Sequence, residues 1–266
     1  MKTSTLAEDI KLPKEAYQAA MAYPFTQEMK EIGKKCCHKE AQFLEYCGKQ
    51  KQHRLFSLRM MLELAADIKN EYDRQGIDEQ VYKDTFYDIT LWCQNCYQTF
   101  HEWGIDELIW LRFHICMEVF RLGRLAFQKI SLMKDIPQFD KKQGDEIIEI
   151  HVAQGEPLLY EECIHSLSQA LAFYQMEGAW FWGESWLLHP ALKELLPADS
   201  HILQFQSLFH IYEIDETSHQ GEERVFGSVK DIASYPETTR LQRSLKKYLS
   251  LGKSLGMARG IFYYHR

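Results

Sequence analysis

No run of this sequence reaches the eighteen or so consecutive apolar residues that a membrane-spanning helix requires. The densest stretch, 105–120, carries Asp106, Glu107, Arg112 and Glu118 and reads as a buried helix of a globular protein. The first residues, MKTSTLAEDIKLPKEAY, have neither an apolar core nor a cleavage-like site, so no secretory leader is expected. Basic charge is in deficit: 31 Lys and Arg stand against 38 Asp and Glu, a net charge of −7. That balance argues against nucleic acid as a main partner, while leaving room for a local basic pocket. Cysteine is sparse and odd in number, seven in 266 residues, which suits reduced thiols and a cytoplasmic location rather than a disulfide framework. There is no internal repeat, no low-complexity segment and no Gly-x-Ser-x-Gly elbow, so a nucleophilic serine is not expected.

What is present divides into two patterns. The first half has helical periodicity, with helices expected over 15–23, 26–48, 53–75, 78–104 and 108–120. Val81, Phe86, Ile89, Cys93, Cys96, Phe100 and Trp103 approximate the one-sided stripe of a packed helix. From Gly123 the period changes towards two. Strands are expected over 125–132 and 146–152, the latter with Ile148, Ile150 and Val152 inward and Glu149 and His151 outward. Between them, 134–145 (KDIPQFDKKQGD) is polar, with one Pro and one Gly, and is the best candidate for a linker. We therefore expect a helical domain over 1–137, with the 123–132 strand joining the sheet of a second domain over 138–266. The fold class is α+β.

In the second half, Pro157 opens an amphipathic helix through Leu159, Cys163, Leu167, Ala170, Leu171 and Tyr174. The alternating aromatic run at 180–188 reads as a strand, with Trp182, Glu184, Trp186 and Leu188 on one face and Phe181, Gly183, Ser185 and Leu187 on the other. His189-Pro190 opens a short helix over 191–196, which Pro197 ends. A further strand is expected over 202–214, placing Leu203, Phe205, Phe209 and Ile211 against the core and Gln204, Gln206, His210 and Tyr212 towards solvent or a cleft. Residues 224–227 suggest a short strand, Thr239-x-x-Gln242 a capping box at a helix start, Gly252 its end, and 259–265 a closing strand.

Two cysteine groupings invite a metal or redox reading: Cys93-x-x-Cys96, and Cys36-Cys37 beside His38. Both fall in helical patterns, and a zinc site would need further ligands. They are read as packing cysteines, and no metal is expected.

The segments IHVAQGEPL (150–158), ESWLLHPALKELLP (184–197), SHILQFQSLF (200–209), RVFG (224–227) and TTRLQRSL (238–245) resemble, in order, the GNAT-like C-terminal domain of bacterial acyltransferase-domain proteins. Upstream, DTFYDITLW (84–92), WGIDELIWLRFH (103–114) and FRLGRLAF (120–127) resemble the helical N-acyltransferase N-terminal domain that accompanies it. The resemblance implies transfer of an acyl group from a coenzyme A or carrier thioester to a small-molecule amine. It implies no membrane partner and leaves the oligomeric state open.

Such a reaction needs a deprotonated amine, a polarised thioester carbonyl and a stabilised leaving thiolate. His151, Glu184 and Glu149 are the candidate bases. An apolar setting among tryptophans would raise the pKa of Glu184 towards a base's working range. Each also reads as a structural residue: Glu184 as a solvated edge glutamate, His151 as a hydrogen-bonded imidazole. Tyr263 is the expected acid, with Tyr212 and Tyr264 as alternatives. Gly183 and Ser185 are expected beside the thioester, and Trp182, Trp186, Gln204 and Gln206 beside the substrate, although strand aromatics are commonly core.

For coenzyme A, the superfamily's Arg/Gln-x-x-Gly-x-Gly/Ala loop is missing. Its nearest stand-ins are Arg224-x-x-Gly227, followed by Thr238, Thr239, Arg240 and Arg243 at a helix start, and Lys253-x-x-Gly256-x-Ala258 in a less suitable context. The rival reading is a non-catalytic module of the same fold that binds a small ligand or a protein.

Overall fold

The computed structural model describes residues 1–266, which divide into two compact units, Met1–Leu122 and Gly123–Arg266. The sequence reading placed the boundary later, at 137/138. Residues 134–145 are instead the connection between two strands that pair antiparallel from Leu125↔Val152 to Ser131↔Glu146. A polar, Pro- and Gly-bearing stretch marks a chain reversal as readily as a linker.

The first unit is helical. Its elements are α1 (Thr3–Asp9), α2 (Lys14–Ala22), α3 (Gln27–Cys36), α4 (Glu40–Gly48), α5 (His53–Arg74), α6 (Glu79–Phe100), α7 (Leu108–Ile115) and a terminal strand β1 (Val119–Leu122). α5 is the hub. Phe56, Leu58, Met60, Met61, Leu62 and Ala65 are all fully buried, because α1, α2, α3, α4, α6 and α7 pack around it. Asp78 caps α6, its Oδ1 accepting from Gln80 N at 2.7 Å.

Two helices end earlier than their periodicity implies. The helix expected over 26–48 breaks after Cys36, where the Cys37 carbonyl accepts from Arg112 Nη1 at 3.2 Å instead of only continuing the helix. The helix expected over 108–120 stops at Ile115; Met117 turns left-handed, φ 56°, and the chain leaves as β1. A continuous apolar run does not by itself distinguish helix from strand.

The second unit contains β2 (Leu125–Ser131), β3 (Glu146–Val152), α8 (Tyr160–Phe173), β4 (Gly178–Ser185), α9 (Leu192–Leu195), α10 (His201–Gln206), β5 (His210–Asp215), α11 (Gln220–Phe226), α12 (Arg240–Ser250) and β6 (Met257–His265). The strands lie in the order β2-β3-β4-β6-β5. β3 and β4 run parallel, joined through α8, and the other pairs are antiparallel, so the sheet is mixed. The α+β expectation therefore holds.

Pairing sets the two faces. Ile148↔Phe181 and Phe181↔Phe262 lie on one face, where Phe181 stacks on Phe262 at 5.6 Å and Phe209 meets Phe262 edge-on at 4.8 Å. Cys163, Leu167, Ala170 and Leu171, all fully buried, give α8 its apolar side. On the opposite face Leu132, Ile136, Ile147 and Ile261 form a cluster with Ile130, Phe139, Trp180, Trp182 and Tyr212.

The strand expected over 202–214 exists only from His210. Its first part is α10, capped by Ser200, whose Oγ accepts from Ile202 N at 3.3 Å. The expected strand 224–227 is likewise the end of a helix, α11. In both places amphipathic residues satisfy strand and helix patterns over so short a span.

Candidate functional site

β4 and β6 pair at eight successive positions, Gly178↔His265 through Ser185↔Ala258. β3 and β4 pair at two only, Ile148↔Phe181 and Glu149↔Trp182. Beyond Glu149 and Trp182, the ends 150–152 and 183–185 of these parallel strands have no register with each other. A fork at the carboxyl ends of parallel strands exposes backbone donors and acceptors, and it is where open sheets commonly take ligands.

Alternation carries Glu149 and His151 to the same face as Trp182 and Glu184. His151 Nε2 lies 3.8 Å from Glu149 Oε2, within ion-pair reach but beyond a hydrogen bond. Burial, and then the neighbouring Glu184 charge, push Glu149 up to about 7. Glu184 is engaged elsewhere: its Oε1 accepts from Arg259 Nη2 at 2.6 Å, while Arg259 Nη1 donates to Glu213 at 2.5 Å. Of the three candidate bases, Glu184 is thus held in an ion pair, whereas Glu149 and His151 face each other at the fork.

Tyr212 sits at an irregularity in the β5/β6 register between Ile211 and Glu213. Such a bulge re-aims a side chain, and the Tyr212 oxygen accepts from Trp182 Nε1 at 2.8 Å. Tyr263 is opposite Trp180, whereas Glu184 is opposite Arg259. Four residues of strand put Tyr263 roughly 13 Å from the Glu184 position. There it is exposed, beside a depression of about 510 Å³ shared with Phe139, Tyr160, Trp180 and His210. The structure does not bring Tyr263 together with His151.

Several other expected site residues have local structural duties. Gly183 faces Gly260 across the β4/β6 pair, and both lie under Phe209; a Cβ on either would come within 3.2 and 2.9 Å of that side chain. Gly183 therefore serves close aromatic packing. Ser185 Oγ accepts from Leu187 N at 3.1 Å and caps a single 3₁₀ turn, Trp186–Leu188, that ends the strand earlier than expected. Trp186 packs on the cluster of Ala191, Leu192, Leu195, Tyr235, Leu245, Leu249 and Leu255. Gln206 is buried and donates to the carbonyls of Leu187 and His189 at 3.2 and 3.0 Å, bracing that turn. Gln204 lies on α10 beside His201 at 3.5 Å.

The expected phosphate cradle is also filled from within. Arg224 and Gly227 stand at the carboxyl end of α11; Gly227, φ 84°, closes the helix by donating to Glu223 O at 2.8 Å. That end carries partial negative charge and disfavours an anion. At the start of α12 the capping box is complete. Gln242 Oε1 accepts from Thr238 N and Thr239 N, both at 3.1 Å, and Thr239 Oγ1 accepts from Gln242 N. Arg243 donates to the carbonyls of Glu237 and Thr238, and Arg240 is exposed. Gly256 is a backbone contact, since a Cβ there would lie 1.9 Å from Asp215 O.

Sequence reasoning gave the segment between the fork and α8 no binding role and opened the helix at Pro157, whereas α8 begins at Tyr160. Residues 153–159 join β3 to α8, with Gly155 at φ 120°. Arg124 holds this segment, donating to the carbonyls of Ala153 (3.0 Å), Pro157 (3.1 Å) and Glu156. No side chain caps the start of α8, so its first N–H groups have no side-chain acceptor. The available signal was Gly155, four residues after His151 and between a strand and a helix.

The cysteines of the first pair, Cys93 and Cys96, are buried on α6, and burial pushes their thiols up to about 12 and about 11. Packing describes them.

With this geometry in place, family comparison assigns the class. Residues 119–262 match the GNAT-like C-terminal domain, and residues 1–117 match the N-acyltransferase N-terminal domain. The chain belongs to this acyltransferase-domain family. Among solved structures it is similar to an acyltransferase in complex with decanoyl-CoA and teicoplanin, with 19% identity, a TM-score of 0.79, and coverage of 98% of this chain and 87% of that one. It is also similar to an acyltransferase in complex with CoA and 10C-teicoplanin, with 18% identity, a TM-score of 0.79, and coverage of 97% and 86%. At such identities the likeness establishes a shared fold. No curated protein sequence matches the chain. No helix is long and apolar enough to cross a membrane.

Proposed function

We propose that the chain is an N-acyltransferase that moves an acyl group from a coenzyme A thioester to an amine at the β3/β4 fork. The observation that carries this reading is the loss of register past Glu149 and Trp182, beside the facing pair Glu149 and His151. Membership of the acyltransferase-domain family supports it, as do two structures with the same fold, one in complex with decanoyl-CoA and one with CoA.

In this reading the pantetheine arm lies between the strand ends, and backbone N–H groups of the β4 end directed into the fork polarise the thioester carbonyl. The pyrophosphate meets the uncapped start of α8. His151 takes the proton of the amine as its nitrogen attacks the carbonyl carbon. Glu149 faces the imidazolium that forms and offsets its charge. The C–S bond breaks, and the thiolate leaves with a proton; Tyr212, on the same sheet face, is the donor that replaces Tyr263 in this role. Half-buried Trp182 lines the cleft. The acceptor class is an amine, and free cysteines suit a cytoplasmic setting.

One observation favours the non-catalytic alternative. The first turn of α8 carries Glu161 and Glu162, whose charges oppose a phosphate. Calorimetric titration with coenzyme A and with acyl-CoAs of graded length, together with thiol release in the presence of amines, tests the two readings. Binding of acyl-CoA with amine-dependent thiol release supports the enzyme. Absence of binding overturns it.

A further inference from the structure

The first unit carries a cluster that acyl transfer does not use. The Sγ atoms of Cys37 and Cys116 and a ring nitrogen of His38 lie within 4.8 Å of one another. Cys37 is the residue that ends α3, and Cys116 the residue that ends α7. The partial negative ends of both helices therefore bear on one point, an arrangement that favours a cation. Each thiol donates a weak hydrogen bond to a carbonyl: Cys37 Sγ to Lys34 O at 3.3 Å, and Cys116 Sγ to Cys37 O at 3.4 Å. A metal would replace both.

We propose that Cys37, His38 and Cys116 form a binding site for a thiophilic cation, Zn²⁺, which ties the carboxyl ends of α3 and α7 together. Two thiolates and one imidazole are a soft donor set suited to Zn²⁺. Tetrahedral bonds of about 2.3 Å to sulfur and 2.0 Å to nitrogen place ligand atoms roughly 3.5–3.8 Å apart. The cluster thus contracts by about 1 Å or a little more at its widest, a movement the exposed His38 ring can supply. A fourth position is left for water. Binding releases two thiol protons to solvent, and the two thiolates neutralise the divalent charge. Arg112, whose Nη1 lies 3.7 Å from Cys116 Sγ, is offset by Glu40 at 3.5 Å from its Nη2. The neighbouring Cys36 is buried and does not belong to the cluster.

The test uses the full chain, reduced and stripped with chelator, then titrated with Co²⁺ as the spectroscopic stand-in and with Zn²⁺ in competition. One equivalent of Co²⁺ is expected, with thiolate-to-cobalt charge transfer and tetrahedral visible bands that Zn²⁺ abolishes. Cys37→Ser and Cys116→Ser each lose charge-transfer intensity, and His38→Ala weakens affinity at least about tenfold, the lower end of what an outer-shell partner contributes. Because His38 is exposed, its variant keeps the fold even if a cysteine variant does not. Cys93→Ser leaves the spectrum unchanged. Absence of the charge-transfer band, its persistence in all three cluster variants, or its loss in Cys93→Ser overturns the site. A Cys37–Cys116 disulfide that persists under the reducing conditions also overturns it.

Discussion

Glu149 on β3 pairs with Trp182 on β4, and past that pair the two parallel strands share no register. The carboxyl group at the last closed rung is therefore desolvated on one side by the sheet and opens on the other to the fork. Burial first, and the charge of Glu184 second, hold it at about 7. A raised carboxylate favours folding below its unfolded value of about 4.5, and that contribution is lost as pH climbs through about 7. Glu149→Gln is therefore expected to be more stable than the parent at pH 8 by about 1–3 kcal/mol, with the difference vanishing near pH 4, as read by urea unfolding. Its acyl-transfer rate should lose the rise through pH 7. An unchanged pH–rate profile would remove Glu149 from the mechanism.

His151 gives a cleaner kinetic test. His151→Ala should lower kcat by roughly 10²–10⁴ while acyl-CoA affinity changes little, because a general base acts in the transition state. Equal losses in binding and turnover would point to a structural imidazole.

Thr239 separates a cap from a cofactor contact. Thr239→Ala is expected to cost about 1 kcal/mol of stability through the lost cap, with coenzyme A affinity preserved. A tenfold loss of that affinity would return the phosphate to the start of α12.

The Phe209 shelf over Gly183 and Gly260 predicts an ordered pair of costs. A Cβ at Gly260 meets Phe209 Cβ at 2.9 Å, whereas one at Gly183 meets the ring edge at 3.2 Å. Gly260→Ala should destabilise by about 1–3 kcal/mol, the usual range for overpacking, and Gly183→Ala by less. Thermal unfolding of both variants decides the order.

In the helical unit, Asp88 is buried and accepts from Trp110 Nε1 at 2.9 Å, with His114 Nε2 at 3.1 Å. Burial pushes its carboxyl up, but the His114 and Trp110 bonds outweigh burial and leave it below the ordinary value. A depressed carboxylate stabilises above the unfolded pKa, and that contribution is lost as pH falls through the folded one. Asp88→Asn should cost about 1–3 kcal/mol at pH 7 through the weakened bonds to His114 and Trp110, and acid unfolding should show the difference shrinking below about pH 4. Equal stability at pH 7 would mean that the network contributes nothing.

The strand 146–152 was legible because Ile148, Ile150 and Val152 alternate with Glu149 and His151, and the strand expected over 125–132 because the period changes towards two after Gly123. The outward direction of Glu149 and His151 followed from the same alternation. α10 was not legible: in SHILQFQSLF the apolar residues fit a strand as well as a single helical turn, and the deciding contacts are Ser200 capping Ile202 and Gln206 bracing the Leu187–His189 turn. Glu184 looked like a base because tryptophans flank it in sequence. Its ion-pair partner, Arg259, is 75 residues away along the chain and adjacent only across the β4/β6 pair.

Sequence by itself determined the helical first half, the α+β second half, the capping box at Thr239 and the position of His151 at a strand's end. These depend on periodicity and on contacts within a few residues, which a chain carries locally. Tertiary structure alone decided which carboxylate is desolvated, which is neutralised, where the parallel strands part, and that Cys37 and Cys116 share one neighbourhood. Each of these depends on what is packed opposite a residue, and that partner is brought close only when distant segments pair.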